Sequence, residues 1–199
     1  MSENPVTEPH SPAPDPLDPA TVLAGARAGI VVGNPKPASR TFQAAARVVA
    51  ELTGRSPEPA VDLAAFGAGL LDWSDAEVSQ AVETISGLDL VVFASPTYKA
   101  TYTGLLKLFL DRFPSRALEG VVAVPLMLGA GPGHALAPEV FLRPVLVELG
   151  ASVPSSALYV LDGGYEDPAA YEPWLTSARP RIAAALAFRS ARAAQGGAA

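Results

Sequence analysis

The chain has 199 residues, of which 49% are hydrophobic and 17% charged, a composition that predicts one compact domain with a substantial core. Its formal net charge of −6 argues against a nucleic-acid partner or an anionic membrane surface. It has no cysteine, which excludes disulfides, thiolate metal sites and cysteine nucleophiles, and its two histidines, His10 and His134, leave little for a metal site or a catalytic triad.

The two ends of the chain differ in composition from the middle. Residues 1–20 are rich in Pro, Asp, Glu and Ser, which predicts a disordered tail. Residues 191–199 are interpreted as a second, flexible tail, so that one domain covers 21–190. No segment is apolar enough to span a bilayer, and the first residues do not have the pattern of a secretory signal. We therefore expect a cytoplasmic protein.

Between the tails, strand and helix signals alternate along the chain. Short apolar runs predict five strands, at 28–33, 61–66, 88–94, 121–128 and 157–161. Apolar residues at helical spacing predict helices at 40–53, 75–86, 105–113, 135–149 and 169–187. This alternation predicts an α/β fold: a flavodoxin-like, doubly wound, five-stranded parallel sheet of order 2-1-3-4-5, with helices on both faces.

Local signals refine these boundaries. Ser74, with Glu77 three residues later, predicts a capping box at the start of the second helix. Pro125 is expected to bend or break the fourth strand. Pro144 and Pro180 are expected to kink or interrupt the last two helices.

In the predicted sheet, three loops meet at the carboxyl edge, where open α/β sheets bind their ligands. The first loop, residues 33–41, ends in Ser39, Arg40 and Thr41 at the start of a helix. The helix N-terminus, two hydroxyls and a cation suit a phosphate group. An ordinary serine N-cap beside an exposed arginine explains the same residues equally well. The loop has neither a Walker A ending nor the G-x-G-x-x-G pattern of a dinucleotide site.

The second loop follows the strongest strand signal and contains Pro96, Thr97, Tyr98, Lys99 and Tyr102. Its stiff backbone offers amide donors to the edge of a flat ring, and Tyr102 offers cover for a ring face. The alternative is a plain strand-to-helix connection with tyrosines on its surface.

The third loop combines Gly129, Gly131 and Gly133 with His134 after a buried strand. Glycines there permit a close backbone approach to a ligand, and His134 offers a donor at the start of the next helix. A flexible turn that ends in histidine is the alternative.

Taken together, residues 33–41, 95–111 and 129–146 resemble the NADPH-dependent FMN reductase family, and most closely its sulfonate-utilisation branch. The resemblance implies that Ser39, Arg40 and Thr41 hold the FMN phosphate. It also implies that Pro96, Thr97, Tyr98, Lys99 and Tyr102 line the isoalloxazine ring, and that the third loop closes the other side. NADPH or NADH would pass a hydride to the flavin, and no protein residue need act as acid or nucleophile.

The resemblance also bears on partners. It implies a supply of reduced flavin to a monooxygenase, and a homodimer or homotetramer formed through the helix after the flavin loop. The apolar residues of that helix, 105–113, equally fit simple burial on the sheet. Residues 135–149 do not contain the tyrosine insertion that the sulfonate branch carries, which leaves a tightly bound FMN open. An FMN-prosthetic quinone or azo reductase and a non-catalytic electron carrier therefore remain as alternatives.

Overall fold

The computed structural model describes residues 18–196, so residues 1–17 of the predicted N-terminal tail and 197–199 of the predicted C-terminal tail lie outside that range. Five strands form one parallel sheet of order β2-β1-β3-β4-β5, as predicted. The strands are β1 (Ala28–Val32), β2 (Ala60–Asp62), β3 (Leu90–Pro96), β4 (Val122–Gly129) and β5 (Leu158–Leu161).

Six α-helices connect or flank the strands. They are α1 (Pro19–Gly25), α2 (Arg40–Thr53), α3 (Ala76–Ser86), α4 (Gly104–Leu110), α5 (Arg143–Glu148) and α6 (Glu172–Gly196). A π-helical turn, Pro138–Leu142, leads directly into α5.

Two hydrophobic cores lie on opposite faces of the sheet. Side chains alternate between the faces along each strand, so Val92 of β3 packs with α1, α2 and α6, whereas Phe93 packs with α3, α4 and the α5 segment. The central strands are buried on both sides, which explains why they appear in the sequence as continuous apolar runs.

Local capping signals set the ends of α2 where the sequence predicted them. Ser39 accepts a hydrogen bond from the Phe42 amide at 3.2 Å, and Gly54 ends the helix with a left-handed φ of 71°.

Two of the predicted element ends were wrong, and one helix was not predicted. The second strand stops at Asp62, whose side chain caps a 3₁₀ turn over Leu63–Ala65. Asp75, not Ser74, caps α3, because its carboxylate accepts from the Val78 amide at 2.9 Å. The unpredicted helix is α1, which begins at Pro19 after the N-cap Asp18 and buries Leu23 against α6.

The prolines act less strongly than expected. Pro125 lies inside an unbroken β4. Ala123 directs its amide to Ser152 on the β5 side, so Pro125, two residues on, faces that side before β5 pairing starts at Leu126. Its missing N–H therefore leaves no ladder hydrogen bond unmade.

Pro180 lies at a solvent-exposed position within a continuous α6, and the carbonyl that loses its helical hydrogen bond belongs to Thr176, which is also an exposed residue. Pro144 lies in the first turn of α5, directly after the π turn, so the helix changes from π to α winding there without the break that was expected. Across residues 18–196, none of the helices combines the length and apolar character needed to cross a membrane.

Candidate functional site

A cavity of about 370 Å³ opens at the carboxyl edge of the sheet, where the loops after β1, β3 and β4 meet the end of β5. It is lined by Asn34, Lys36, Ser39, Arg40, Thr41, Pro96, Thr97, Tyr98, Leu128, Gly129, Ala130 and Asp162. The predicted convergence of the three loops therefore exists as a concave surface.

A larger cavity, of about 440 Å³, lies between α1 and α6 near the opposite edge. Its one carboxylate, that of Asp89, is already paired with both Arg27 and Arg189. Parallel α/β sheets bind ligands at the carboxyl ends of their strands, so we take the smaller cavity as the functional site.

The first loop is held in shape by its own polar groups. The Asn34 side chain donates to the Thr41 hydroxyl at 3.0 Å and accepts from the Lys36 amide at 2.9 Å. The Ala38 amide donates to the Asp62 carboxylate at 2.9 Å, with Ala38 at a φ of 49°. The first amides of α2, those of Arg40 and Thr41, have no helical carbonyl partner and lie at the positive end of the helix dipole.

Arg40 is paired rather than free. Its guanidinium forms an ion pair with Asp162, the residue that follows β5, and lies 5.9 Å from the centre of the Tyr165 ring. Both charged side chains line the cavity. The site therefore places a carboxylate beside the cation that the sequence analysis assigned to a phosphate.

The second loop contains a tight two-residue hairpin. Tyr98 and Thr101 exchange two backbone hydrogen bonds, and both residues between them, Lys99 and Ala100, have positive φ, as in a type I′ turn. No glycine or asparagine stands at either position, so the turn is strained. Such strain is common at ligand sites.

Thr103 anchors this hairpin to the sheet. Its hydroxyl donates to the Gly33 carbonyl at 2.6 Å, and its amide donates to the Ser95 hydroxyl at 3.0 Å. Gly33 also allows α4 to approach, because a Cβ there would overlap Leu106. The first and second loops are thus fixed against each other.

Thr97 has an unsatisfied polar group at the cavity. Its amide donates to the Leu128 carbonyl at 2.6 Å, but its buried hydroxyl has no hydrogen-bond partner among the described residues. Since buried hydroxyls in folded proteins are nearly always bonded, this one is suited to a ligand atom.

In the third loop, only Gly129 among the predicted residues reaches the cavity. A Cβ at Gly129 would overlap the hydroxyl of Tyr159, which donates to the Gly131 carbonyl at 2.7 Å. Glycine is therefore needed at 129 for packing. A Cβ at Gly131 or Gly133 would meet open space.

Five of the residues predicted from sequence do not line the cavity: Lys99, Tyr102, Gly131, Gly133 and His134. Lys99 lies at the exposed tip of the hairpin, and His134 is exposed at the end of a 3₁₀ turn. Tyr102 packs partly against the core near α4, and this burial raises the pKa of its hydroxyl.

Sequence reasoning missed five lining residues: Asn34, Lys36, Leu128, Ala130 and Asp162. Asn34 and Lys36 belong to the predicted first loop, and Leu128 and Ala130 flank the predicted Gly129. Asp162 could have been predicted from the sequence, because it directly follows the predicted fifth strand and so lies at the same edge of the sheet as the three loops.

A further local feature is the π turn before α5, although its residues do not line the cavity. A π turn accommodates one extra residue in a helix and is frequent near functional sites. Here it contains Val140 and Phe141 and no tyrosine. Arg143 ties it down by donating to Glu139 and to the carbonyls of Val153 and Ser155.

With this geometry in place, comparison with known proteins is decisive for the family. Residues 26–166, which include every residue lining the cavity, match the model of the family described as NADPH-dependent FMN reductase. The chain belongs to this family.

Relatives with curated names agree with this assignment. The chain is 45% identical over 69 residues to an FMN reductase (NADPH) of Escherichia coli, an alignment that spans 35% of this chain and 36% of that relative. It is 31% identical over 139 residues to the NADH-dependent FMN reductase SfnF of Pseudomonas fluorescens, spanning 65% of this chain and 73% of SfnF. The chain thus spans little more than a third of the first relative and about three quarters of the second.

Solved structures show the same architecture. An NADH:FMN oxidoreductase (EMOB) in its apo form superposes with a TM-score of 0.66 at 28% identity, over 81% of this chain and 87% of that one. An oxidoreductase from Corynebacterium diphtheriae has a TM-score of 0.62 at 22% identity, over 81% of this chain and 97% of that one, a likeness that concerns the fold alone.

Proposed function

We propose that this protein reduces FMN with NADPH or NADH in the cavity at the carboxyl edge of the sheet. Family membership and the names of the relatives support this activity. The observation that carries it is a single cavity lined both by Thr97, whose buried hydroxyl has no hydrogen-bond partner among the described residues, and by the N-terminus of α2.

The donors present fit FMN at both ends of the molecule. The first amides of α2, with Arg40 and the polar Ser39–Thr41 stretch, suit the phosphate. Pro96, Thr97 and Tyr98 lie across the cavity, where a stiff backbone and an unbonded hydroxyl suit the polar edge of a flat ring. Bound FMN would supply the hydride-transfer chemistry itself.

The chain's own contribution is then binding and orientation. Thr103 and Gly33 lock the second loop to the first, so the phosphate end and the ring end keep a fixed separation. The exposed Tyr98 borders the mouth of the cavity and suits the role of partial cover for the ring. Gly129 lines the cavity at the end of β4, where the absence of a side chain leaves room for Tyr159.

We propose that a flavin-dependent monooxygenase accepts the reduced FMN. We also propose that the protein assembles as a homodimer or homotetramer. An apolar surface on the π turn, on α5 and on Leu136 just before them supports self-association, since Leu136, Val140, Phe141 and Val147 are all exposed. In α4, Leu106, Phe109 and Leu110 are buried on the sheet, whereas Leu108 is exposed and available to an interface. The cytoplasmic location stays a prediction.

An anaerobic titration tests the activity. Purified protein is mixed with FMN and then with NADPH or NADH, while the visible absorbance of oxidised flavin is followed. We expect the absorbance to fall at a rate proportional to the protein concentration. Yellow protein before FMN is added would favour the prosthetic quinone or azo reductase, and flavin binding without bleaching would favour the electron carrier.

A further inference from the structure

Carboxylates already engage two of the donors that the first loop offers to an anion. Asp62 accepts the Ala38 amide at 2.9 Å, and Asp162 pairs with the Arg40 guanidinium. Asp162 differs from Asp62 because its own side chain lines the cavity. A phosphate near Arg40 therefore meets the negative charge of Asp162 as well as the positive charge of the guanidinium.

The solvent exposure of the Arg40–Asp162 ion pair determines how easily a ligand can displace the carboxylate. The Arg40 side chain is 59% exposed and the Asp162 side chain 40% exposed, so the ion pair is accessible and costs little to rearrange. A dianionic phosphate competes directly with the carboxylate for the same guanidinium, since both bind it through the same donors.

We propose that Asp162 is an affinity determinant that weakens FMN binding by competing with the flavin phosphate for Arg40, so that FMN exchanges as a substrate. This inference rests on the proposed function and deepens it, because it decides between exchangeable and resident flavin.

The opposite role for Asp162 would be to orient Arg40 toward the phosphate. The contact between Arg40 and Tyr165 argues that Arg40 does not need Asp162 to orient it. The guanidinium lies over the Tyr165 ring, 5.9 Å from its centre, and this contact would hold Arg40 at the cavity without the carboxylate. The two roles predict opposite changes in affinity when the charge is removed.

The test compares two ligands and two variants with a control. FMN and riboflavin, which has no phosphate, are titrated by flavin fluorescence against the wild type, Asp162→Asn and Asp162→Ala. Glu119→Gln is the matched control, since it removes the carboxylate of another exposed ion pair, with Arg116, that is remote from the cavity. Flavin dissociation rates are measured on the same proteins.

We expect both Asp162 variants to bind FMN roughly fivefold more tightly, which is the size of effect that one exposed ion pair contributes. They should also release FMN more slowly. Riboflavin affinity should stay unchanged in all variants, and the Glu119→Gln protein should match the wild type. Unchanged or weaker FMN binding in both Asp162 variants would overturn the inference while leaving the proposed function intact. Failure of the wild type itself to bind FMN would overturn both.

Discussion

Among the described residues, Thr97 and Ser155 carry the two buried hydroxyls without a hydrogen-bond partner, and Thr97 is the one at the cavity. We expect Thr97→Val to weaken FMN binding about three- to tenfold, because one neutral hydrogen bond contributes about 0.5–1.5 kcal/mol. The stability of the flavin-free protein should not fall, since the substitution removes an unsatisfied group and keeps the side-chain shape. Flavin titration and urea unfolding measure the two effects.

Ser155 provides the matched control. Ser155→Ala removes the other orphaned hydroxyl, away from the cavity, and should leave FMN affinity unchanged. If Thr97→Val bound FMN as the wild type does, the Thr97 hydroxyl would have no part in the site.

At the scale of elements, the prediction from sequence succeeded where the signals are local. The ends of α2 follow from Ser39 and Gly54, which act within one turn of the helix. The Lys99–Ala100 turn has no such signal, because its positive φ values are imposed by the anchoring of Thr103 to the sheet. Asp162 and Arg40 are 122 residues apart in sequence. Their contact depends on the spatial order of the strands and has no local signal.

The start of α3 gives an element-scale prediction. Ser74 and Asp75 are both good N-cap residues, and only the structure distinguishes them. Asp75→Ala should lower the free energy of unfolding by about 1 kcal/mol, because the Val78 amide loses its acceptor. Ser74→Ala, which removes only an exposed bond to Asp72, should cost less than about 0.5 kcal/mol. Equal losses in urea unfolding would contradict this capping assignment.

For the molecule as a whole, alkaline stability depends on Tyr171 at the start of the α6 region. Burial raises the pKa of this hydroxyl from 10.0 to about 12. The folded protein therefore holds the proton more tightly than the unfolded chain, so this contribution to stability is complete below pH 10 and is lost as the pH rises toward 12.

Unfolding free energies measured between pH 9 and pH 12 should show this loss in the wild type. Tyr171→Phe should lose about 1 kcal/mol at neutral pH, because the hydrogen bond to the Tyr165 carbonyl disappears. Its free energy of unfolding should then fall less steeply above pH 10. A fall as steep as that of the wild type would assign the alkaline loss to other groups.

Self-association is the second whole-molecule prediction. We expect a dimer or tetramer in sedimentation velocity, and Val147→Glu, on the exposed apolar surface of α5, should shift it toward the monomer. Phe188→Glu is the control, since Phe188 is 66% exposed but lies on α6, which packs on the opposite face of the sheet. A monomeric wild type would contradict the proposed assembly.

The most direct test of the central claim is a crystal structure of the protein grown with FMN. The account predicts flavin density in the cavity at the carboxyl edge of the sheet, with the phosphate at the start of α2 and the ring against the Pro96–Tyr98 segment. Flavin bound elsewhere, for example in the cavity between α1 and α6, would contradict it.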